Sequence, residues 1–371
     1  MTGGAAVRHP DRSGRAADVI RVVDEAVAGR VVPGAVLAAG IAGQALLTYV
    51  AGAAQDDTVG WRPMTIDTVF DLASLTKVVA TTPVILQLVV AGQLGLDESV
   101  AARLPGFIGA GKEHVTVRQL LTHTAGLPPH REYYERGYDG QEARTAALAE
   151  PLIAPPGTTC AYSDVGFIVL GELAAAAGGA GLAALADRLV FAPLGMTTTL
   201  FRPPGALASR IAATETYGGV GKTGVVHDEN ADLLGGVAGH AGLFATSADL
   251  CRYAGAWTST EDGLAPGWLP ASLRAEAVRC QTPGLGGRRG LGWGLRGDRW
   301  DNMGDGWPSS GAGHTGFTGT SISLDPVSGL WAVLLTNGVH YGRGRPGNPV
   351  VSLRKKVHAA VADAFLSRDV G

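Results

Sequence analysis

Two strand-forming stretches stand near opposite ends of this chain, and they constrain its fold more than any other feature. The first, "PGAVLAAGIAGQALLTYVAG" (residues 33–52), is two short apolar runs around Ala42-Gly43, the pattern of a hairpin. The second, "HTGFTGTSISLDPVSGLWAVLLTN" (residues 314–337), is two β-rich runs around an Asp-Pro-x-Ser-Gly turn. Between them the apolar period changes from 2 to 3.6, in "TVRQLLTH", "GFIVLGELAAAAG", "LAALADRLVFAPLG" and "SADLCRYAGAW". Helical patterns also flank the strands outside: Val19, Val22, Val23, Ala26 and Val27 on one side, residues 351–366 on the other. This element order predicts an α+β fold in which the two ends share one antiparallel sheet, flanked by N- and C-terminal helices. The sheet region is expected at residues 16–72 and 288–371, and a helical lobe at 73–287. A single catalytic domain is expected over 16–371, after a disordered tail at 1–15.

With 371 residues the chain can bury a large core. Lys and Arg total 30 against 33 for Asp and Glu, with no block of like charge, so neither nucleic acid nor an anionic membrane is expected as a partner. The three cysteines, Cys160, Cys251 and Cys280, are far apart and show no zinc spacing, so no metal or other cofactor is expected. No apolar h-region follows the first basic residues. The longest apolar stretch, Val78–Ala91, is too short and too interrupted to span a bilayer. A soluble cytoplasmic protein is the expectation, with its oligomeric state left open.

"DLASLTKVVATT" (residues 71–82) places Ser74 three positions before Lys77 at the start of a helix expected to end at Gly92. A serine before an apolar run is a preferred N-cap, and Ser352/Lys355 repeats the spacing near the C-terminus. The same spacing also puts an ammonium on the helix face of a hydroxyl, beside backbone N–H groups suited to an oxyanion. "CAYSDVGF" adds Tyr162, whose phenol becomes a usable base only beside a cation. "GAGHTGFTG" adds His314-Thr315-Gly316 at a strand entry, where a substrate can lie along the backbone edge and the Phe317 N–H can face an oxyanion. Taken singly, each has an ordinary structural reading.

In the order Ser-x-x-Lys, Tyr-x-Asp, His-Thr-Gly, with flanks "VTVRQLLTHTAGLP", "YSDVGFIVLGE", "PLGMTTT" and "GLFATSADL", the chain resembles the penicillin-recognising serine hydrolases: class C β-lactamases, D,D-peptidases and related esterases. The resemblance runs from about Gly34 to the C-terminus. It implies the β-lactamase/D,D-peptidase fold, a nucleophile at Ser74 with Lys77 and Tyr162, and oxyanion donors at the N–H groups of Ser74 and Phe317. Asp164, His314, Thr315 and Gly316 are implied to bind substrate.

Two positions depart from the pattern. Asp164 stands where β-lactamases of this type carry asparagine, and a carboxylate cannot donate to a substrate carbonyl and holds Lys77 protonated. His314 stands where they carry lysine, and a neutral imidazole attracts a substrate carboxylate less. Both point away from efficient β-lactam hydrolysis and toward Tyr162 as proton acceptor.

A literal Lys222-Thr223-Gly224 is a decoy, since loop and helix rather than a hairpin follow it. His123, His130, His227 and His240 form no metal signature, and His123 is read as fixing the turn that ends its helix. Asp228, Glu229 and Asn230 are candidates to line the cleft, and Trp293, Trp300 and Trp307 for an aromatic rim.

The leading reading is a serine hydrolase acting on a small ester, amide or peptide through an acyl-enzyme. The flank "HDENADLLGGVAGHAGLFATSADL" looks most like members related to muropeptide amidases. The alternatives are a transacylase that delivers the acyl group to an amine or alcohol, and a non-catalytic sensor that kept the fold.

Overall fold

The computed structural model describes residue 14 and residues 16–259 and 267–366; apart from Gly14, the tail expected to be disordered lies outside the described residues. The two ends do share one sheet. Its strands are β1 (Gly34–Ile41), β2 (Gln44–Asp57), β3 (Gly60–Pro63), β4 (Gly294–Leu295), β5 (Ala312–Thr315), β6 (Ser321–Leu324) and β7 (Leu330–Thr336). They lie antiparallel in the order β3-β2-β1-β7-β6-β5-β4. The N-terminal hairpin joins the C-terminal strands through β1 and β7, which pair from Ala35 opposite Thr336 to Ile41 opposite Leu330.

Both sheet faces are covered, which is why β1 and β7 read as unbroken apolar runs rather than alternating ones. Ala35, Leu37 and Ala39 pack with Leu330, Ala332 and Leu334 against the helices Ala16–Ala28 and Pro349–Leu366. Val36, Ala38, Val333 and Leu335 point the other way, into the core shared with the helical lobe. Each fully buried Val or Leu contributes roughly 1.5–3 kcal/mol of transfer free energy, so this two-sided register is strongly specified. Ala42 closes the β1–β2 turn at φ 50°, and the Trp331 indole N–H donates to its carbonyl at 2.7 Å.

The lobe departs from expectation in two ways. It contains a second sheet, Val69–Asp71, Leu243–Thr246 and Leu200–Phe201, and a small hairpin, Thr216–Tyr217 with Val220–Gly221. These strands are two to four residues long, too short for a period to show. The helix through Ser74 is also not uniform. It starts as a 3-10 turn (Ala73–Leu75), widens to a π turn (Lys77–Thr81) and becomes α-helical only over Thr82–Val90. Pro83 has no N–H for the carbonyl four residues back, and the wide turn just before it absorbs that loss.

The stretch Ala73–Val90 is long and apolar enough to cross a bilayer, yet 78% of it is buried within the protein. Core packing accounts for its apolar character. Lys222 of the decoy triplet sits beside that small lobe hairpin and pairs with Asp232 at 3.4 Å. Ser352 and Lys355 are exposed on the final helix.

Candidate active site

Ser74 lies where the second sheet hands the chain to the long helix. Asp71, the last residue of its strand, accepts hydrogen bonds from the N–H groups of Ala73 (2.8 Å) and His227 (2.6 Å). These bonds hold Ala73 at φ 45°, a left-handed conformation that costs a non-glycine residue about 1–2 kcal/mol. No side chain caps this helix start, so Ser74 is not its N-cap, and its hydroxyl stands at the edge of a cavity. Across from it the end of β5 is laid directly on the backbone. A Cβ on Gly316 would come within 2.3 Å of the Leu72 carbonyl and 2.2 Å of Thr320 Oγ1, so only glycine allows this approach.

Lys77 is fully buried. Its Nζ donates to Ser74 Oγ (3.0 Å) and to the His240 carbonyl (3.1 Å), and forms an ion pair with Asp164 Oδ1 at 2.7 Å. Three acceptors therefore surround the three ammonium protons. Burial favours the neutral amine, but the Asp164 carboxylate and the Tyr162 hydroxyl prevail and hold Lys77 above its ordinary pKa. Asp164 opens the helix Asp164–Gly178, placed by Ser163, whose Oγ accepts from the Gly166 N–H at 3.0 Å and donates to the Pro128 carbonyl at 2.6 Å. Its other oxygen lies 3.3 Å from His130 Nδ1. Burial alone would raise Asp164; Lys77 and His130 hold it well below the usual carboxylate range.

Tyr162 is held by His123, a role its sequence context did not disclose. His123 sits at φ 59° and its Nδ1 accepts the Ser163 N–H at 3.0 Å. Its carbonyl accepts the Ala161 N–H at 2.9 Å, and its ring packs 4.6 Å from the phenol ring. Burial, with the charges of Arg289 and Lys77, keeps His123 neutral, as an accepting Nδ1 requires. Lys77 Nζ lies 4.9 Å from the Tyr162 ring centre. Burial raises the phenol pKa, while Lys77 opposes the rise.

His314 faces the same ring at 5.9 Å. Burial, Lys77 and Arg289 push its pKa down to about 3, so it is neutral. Its Nδ1–H donates to the Thr315 carbonyl at 2.9 Å, which leaves Nε2 a buried acceptor without a partner. Phe317 follows the strand end. Its ring is 59% exposed, stacked 5.7 Å from His227 and 5.8 Å from the Arg343 guanidinium. Ser74, Tyr162, His314, Thr315, Gly316 and Phe317 all border one cavity of about 410 Å³.

Other expectations are corrected. Asp228 spends Oδ1 on His240 Nε2 at 2.9 Å, Glu229 pairs with Arg343 at 2.7 Å, and buried Asn230 holds the Tyr133 N–H and the Arg131 carbonyl. None of the three borders the cavity. Of the three tryptophans only Trp300 reaches the mouth; Trp293 and Trp307 are core residues. Arg289, which the sequence did not mark, lies buried with its guanidinium carbon 5.7 Å from the Tyr162 ring centre.

Residues 19–354 match the family described as Beta-lactamase. The chain belongs to the beta-lactamase family. Membership makes it a serine hydrolase or acyltransferase. It is 32% identical over 311 residues, 74% of this chain and 70% of the relative, to a putative D-alanyl-D-alanine carboxypeptidase of Escherichia coli (strain K12). In fold it is similar to simvastatin synthase (LovD) from Aspergillus terreus, with a TM-score of 0.75 and 22% identity over 97% of this chain and 100% of that one. It is similar too to a class C beta lactamase from Rhodobacter sphaeroides, with a TM-score of 0.72 and 19% identity over 96% and 100%.

Proposed function

We propose that Ser74 Oγ attacks the carbonyl of a small ester, amide or peptide and forms a covalent acyl-enzyme. The observation that carries this reading is the Lys77 ammonium, held between Ser74 Oγ and the Asp164 carboxylate. Held by two hydrogen bonds and the Asp164 ion pair, Lys77 acts as a fixed cation, and Tyr162 takes the serine proton as the Oγ–carbon bond forms. The N–H groups of Ser74 and Phe317 receive the oxyanion. Tyr162 returns the proton to the leaving group, then draws one from the incoming water as the water oxygen bonds to the acyl carbon, and passes it to Ser74 Oγ as the Oγ–carbon bond breaks, which releases the acid and restores both groups. Thr315 and Gly316 offer the backbone edge to the substrate, and His314 Nε2 accepts a hydrogen bond from it.

On substrate, the kinship to proteins named for D-alanyl-D-alanine cleavage supports a peptide amide of the cell-wall type, a muropeptide amide among them. Asp164 offers no amide N–H to an acylamino carbonyl and His314 no positive charge to a carboxylate, so β-lactams are poor substrates. A second reading, acyl transfer to an amine or alcohol, draws support from the cavity itself. It continues from Ser74 past β5 to Val350 and Arg354 of the final helix, leaving room for an acceptor.

The test is intact-protein mass after incubation with a fluorophosphonate, for wild type and Ser74→Ala, beside p-nitrophenyl acetate turnover with and without added amines. One label per chain that vanishes in the variant is expected, with turnover. Aminolysis product exceeding hydrolysis selects the second reading, and an unlabelled, inactive, folded wild type overturns both.

A further inference from the structure

A phenolate at Tyr162 needs a cation beside it, and the neighbours leave few. Around the ring stand Ser74, Lys77 (4.9 Å), Asp164, His123 (4.6 Å), His314 (5.9 Å) and Arg289 (5.7 Å). The Lys77 charge is matched by Asp164 at 2.7 Å, and His123 and His314 are neutral. Arg289 is the second cation beside the ring.

It is built in with care. Its N–H donates to Thr282 Oγ1 at 3.0 Å, its carbonyl accepts from the Gln281 N–H at 2.7 Å, and Gly294 leaves room where a Cβ would stand 3.2 Å from Nη1. Its acidic partner is Asp298, at 3.0 Å from Nη2, with both side chains buried. That carboxylate also accepts the N–H groups of Arg288 and Trp300, each at 2.8 Å, so its charge is spread away from the cavity. The charge of the guanidinium reaches both neighbouring imidazoles, His123 and His314, and disfavours their protonation.

We infer that Arg289 is a positioning residue for the reaction: its guanidinium, beside the Tyr162 ring, stabilises the Tyr162 phenolate, and Asp298 sets how strongly. This rests on the reading of Tyr162 as proton acceptor. A bare charge at this separation, in an effective dielectric near 20, moves a pKa by about two units; with Asp298 attached, about one unit remains.

The test uses the full chain, three variants and two readouts: the midpoint at which kcat/KM for p-nitrophenyl acetate rises with pH, and the ionisation midpoint of the Tyr162 ¹³Cζ NMR signal, assigned with Tyr162→Phe. In R289Q/D298N both midpoints rise by about one unit, and kcat at pH 7.5 falls about tenfold with KM changed less than about threefold. In Asp298→Asn, which strips the guanidinium of its counter-charge, both midpoints fall. Arg289→Lys keeps them within about 0.3 units. Loss of packing alone would not move the two charge variants in opposite directions. Unmoved midpoints in either R289Q/D298N or D298N, or a shift in R289K equal to that in R289Q/D298N, overturn the inference. If R289Q/D298N fails to fold, the sign of the D298N shift decides. An unlabelled wild type would instead sink the role of Ser74, while the NMR midpoints would still judge Arg289.

Discussion

Asp164→Asn is the substitution that most directly probes how this site handles protons. In the native protein the carboxylate lies 2.7 Å from Lys77 Nζ, with the lysine side chain fully buried and Asp164 only 19% exposed. At an effective dielectric near 20, Coulomb's law puts that attraction at about 6 kcal/mol, enough to overcome the desolvation that burial imposes on an ammonium. Asparagine keeps the shape and an accepting oxygen but removes the charge. Burial then acts on Lys77 with only Tyr162 opposing it and drives its pKa down, and Tyr162 loses a carboxylate that raises its own. The two groups titrate as a coupled pair, so one apparent midpoint should fall, by about two units. Near neutral pH a larger fraction is then in the proton-accepting form, but that form is a weaker base, which leaves a net gain of about 3–10-fold for p-nitrophenyl acetate. Acylamino substrates should gain more, because the new amide N–H can donate to their carbonyl. Removing one member of a buried ion pair can cost 3–5 kcal/mol when a bare charge remains; a neutral Lys77 with Ser74, His240 and the asparagine oxygen still in reach should lose about 1–3. The assay is kcat/KM from pH 5 to 10 for one ester and one acylamide, beside thermal melting. A rise of kcat/KM with pH whose midpoint stays in place or moves upward would refute the claim that Asp164 holds the site protonated, and equal gains for both substrates would refute its second half.

Three further outcomes follow from other parts of the fold. Gly316→Ala has no room for its methyl against the Leu72 carbonyl and Thr320 Oγ1, so it should abolish fluorophosphonate labelling and cost about 2–3 kcal/mol; normal labelling would mean that β5 can retreat without harm to the site. His358 is buried between Ser323 Oγ (3.0 Å) and the Asn302 carbonyl (3.2 Å), and burial lowers its pKa to about 4. Below its unfolded pKa near 6.5 the unfolded chain binds the proton that the folded one refuses, so stability should fall as pH drops from 6.5 toward 4, by about 3 kcal/mol for this residue. His358→Gln should flatten that slope in melting temperature against pH, and an unchanged slope would count against it. Replacing Ser352 and Lys355 by alanine should leave labelling and turnover at wild-type levels, since both side chains are exposed on the final helix; lost activity would show that the repeated spacing is no accident.

Long-range sheet pairing was readable because the sheet is covered on both faces. Every position of β7 and all but the last of β1 is buried, so the two runs are apolar up to the closing Thr336, and only their closure in one sheet satisfies them both. The four-residue strand Leu243–Thr246 is equally buried and was missed, because over so few residues a buried strand has no signature distinct from the approach to a helix. Ser74, Lys77 and Asp164 were legible through local spacing and the order of three motifs. Trp293, Trp300 and Trp307 lie within fifteen positions of one another and end in different environments, since an aromatic ring serves a core or a rim equally well.

The residues that hold the site's charges in balance escaped for a different reason. His123, His240 and Arg289 act through a ring contact, a backbone carbonyl and a guanidinium approached from another loop, and none of these leaves a local pattern. Their roles exist only once the fold has brought residues 123, 162, 240 and 289 together at one end of the cavity. A charge matched between two recognisable motifs, as Lys77 is by Asp164, can be guessed from sequence. A charge that only the fold sets beside the reacting group, as it sets the Arg289–Asp298 pair beside Tyr162, has to be seen in place before its sign there can be argued.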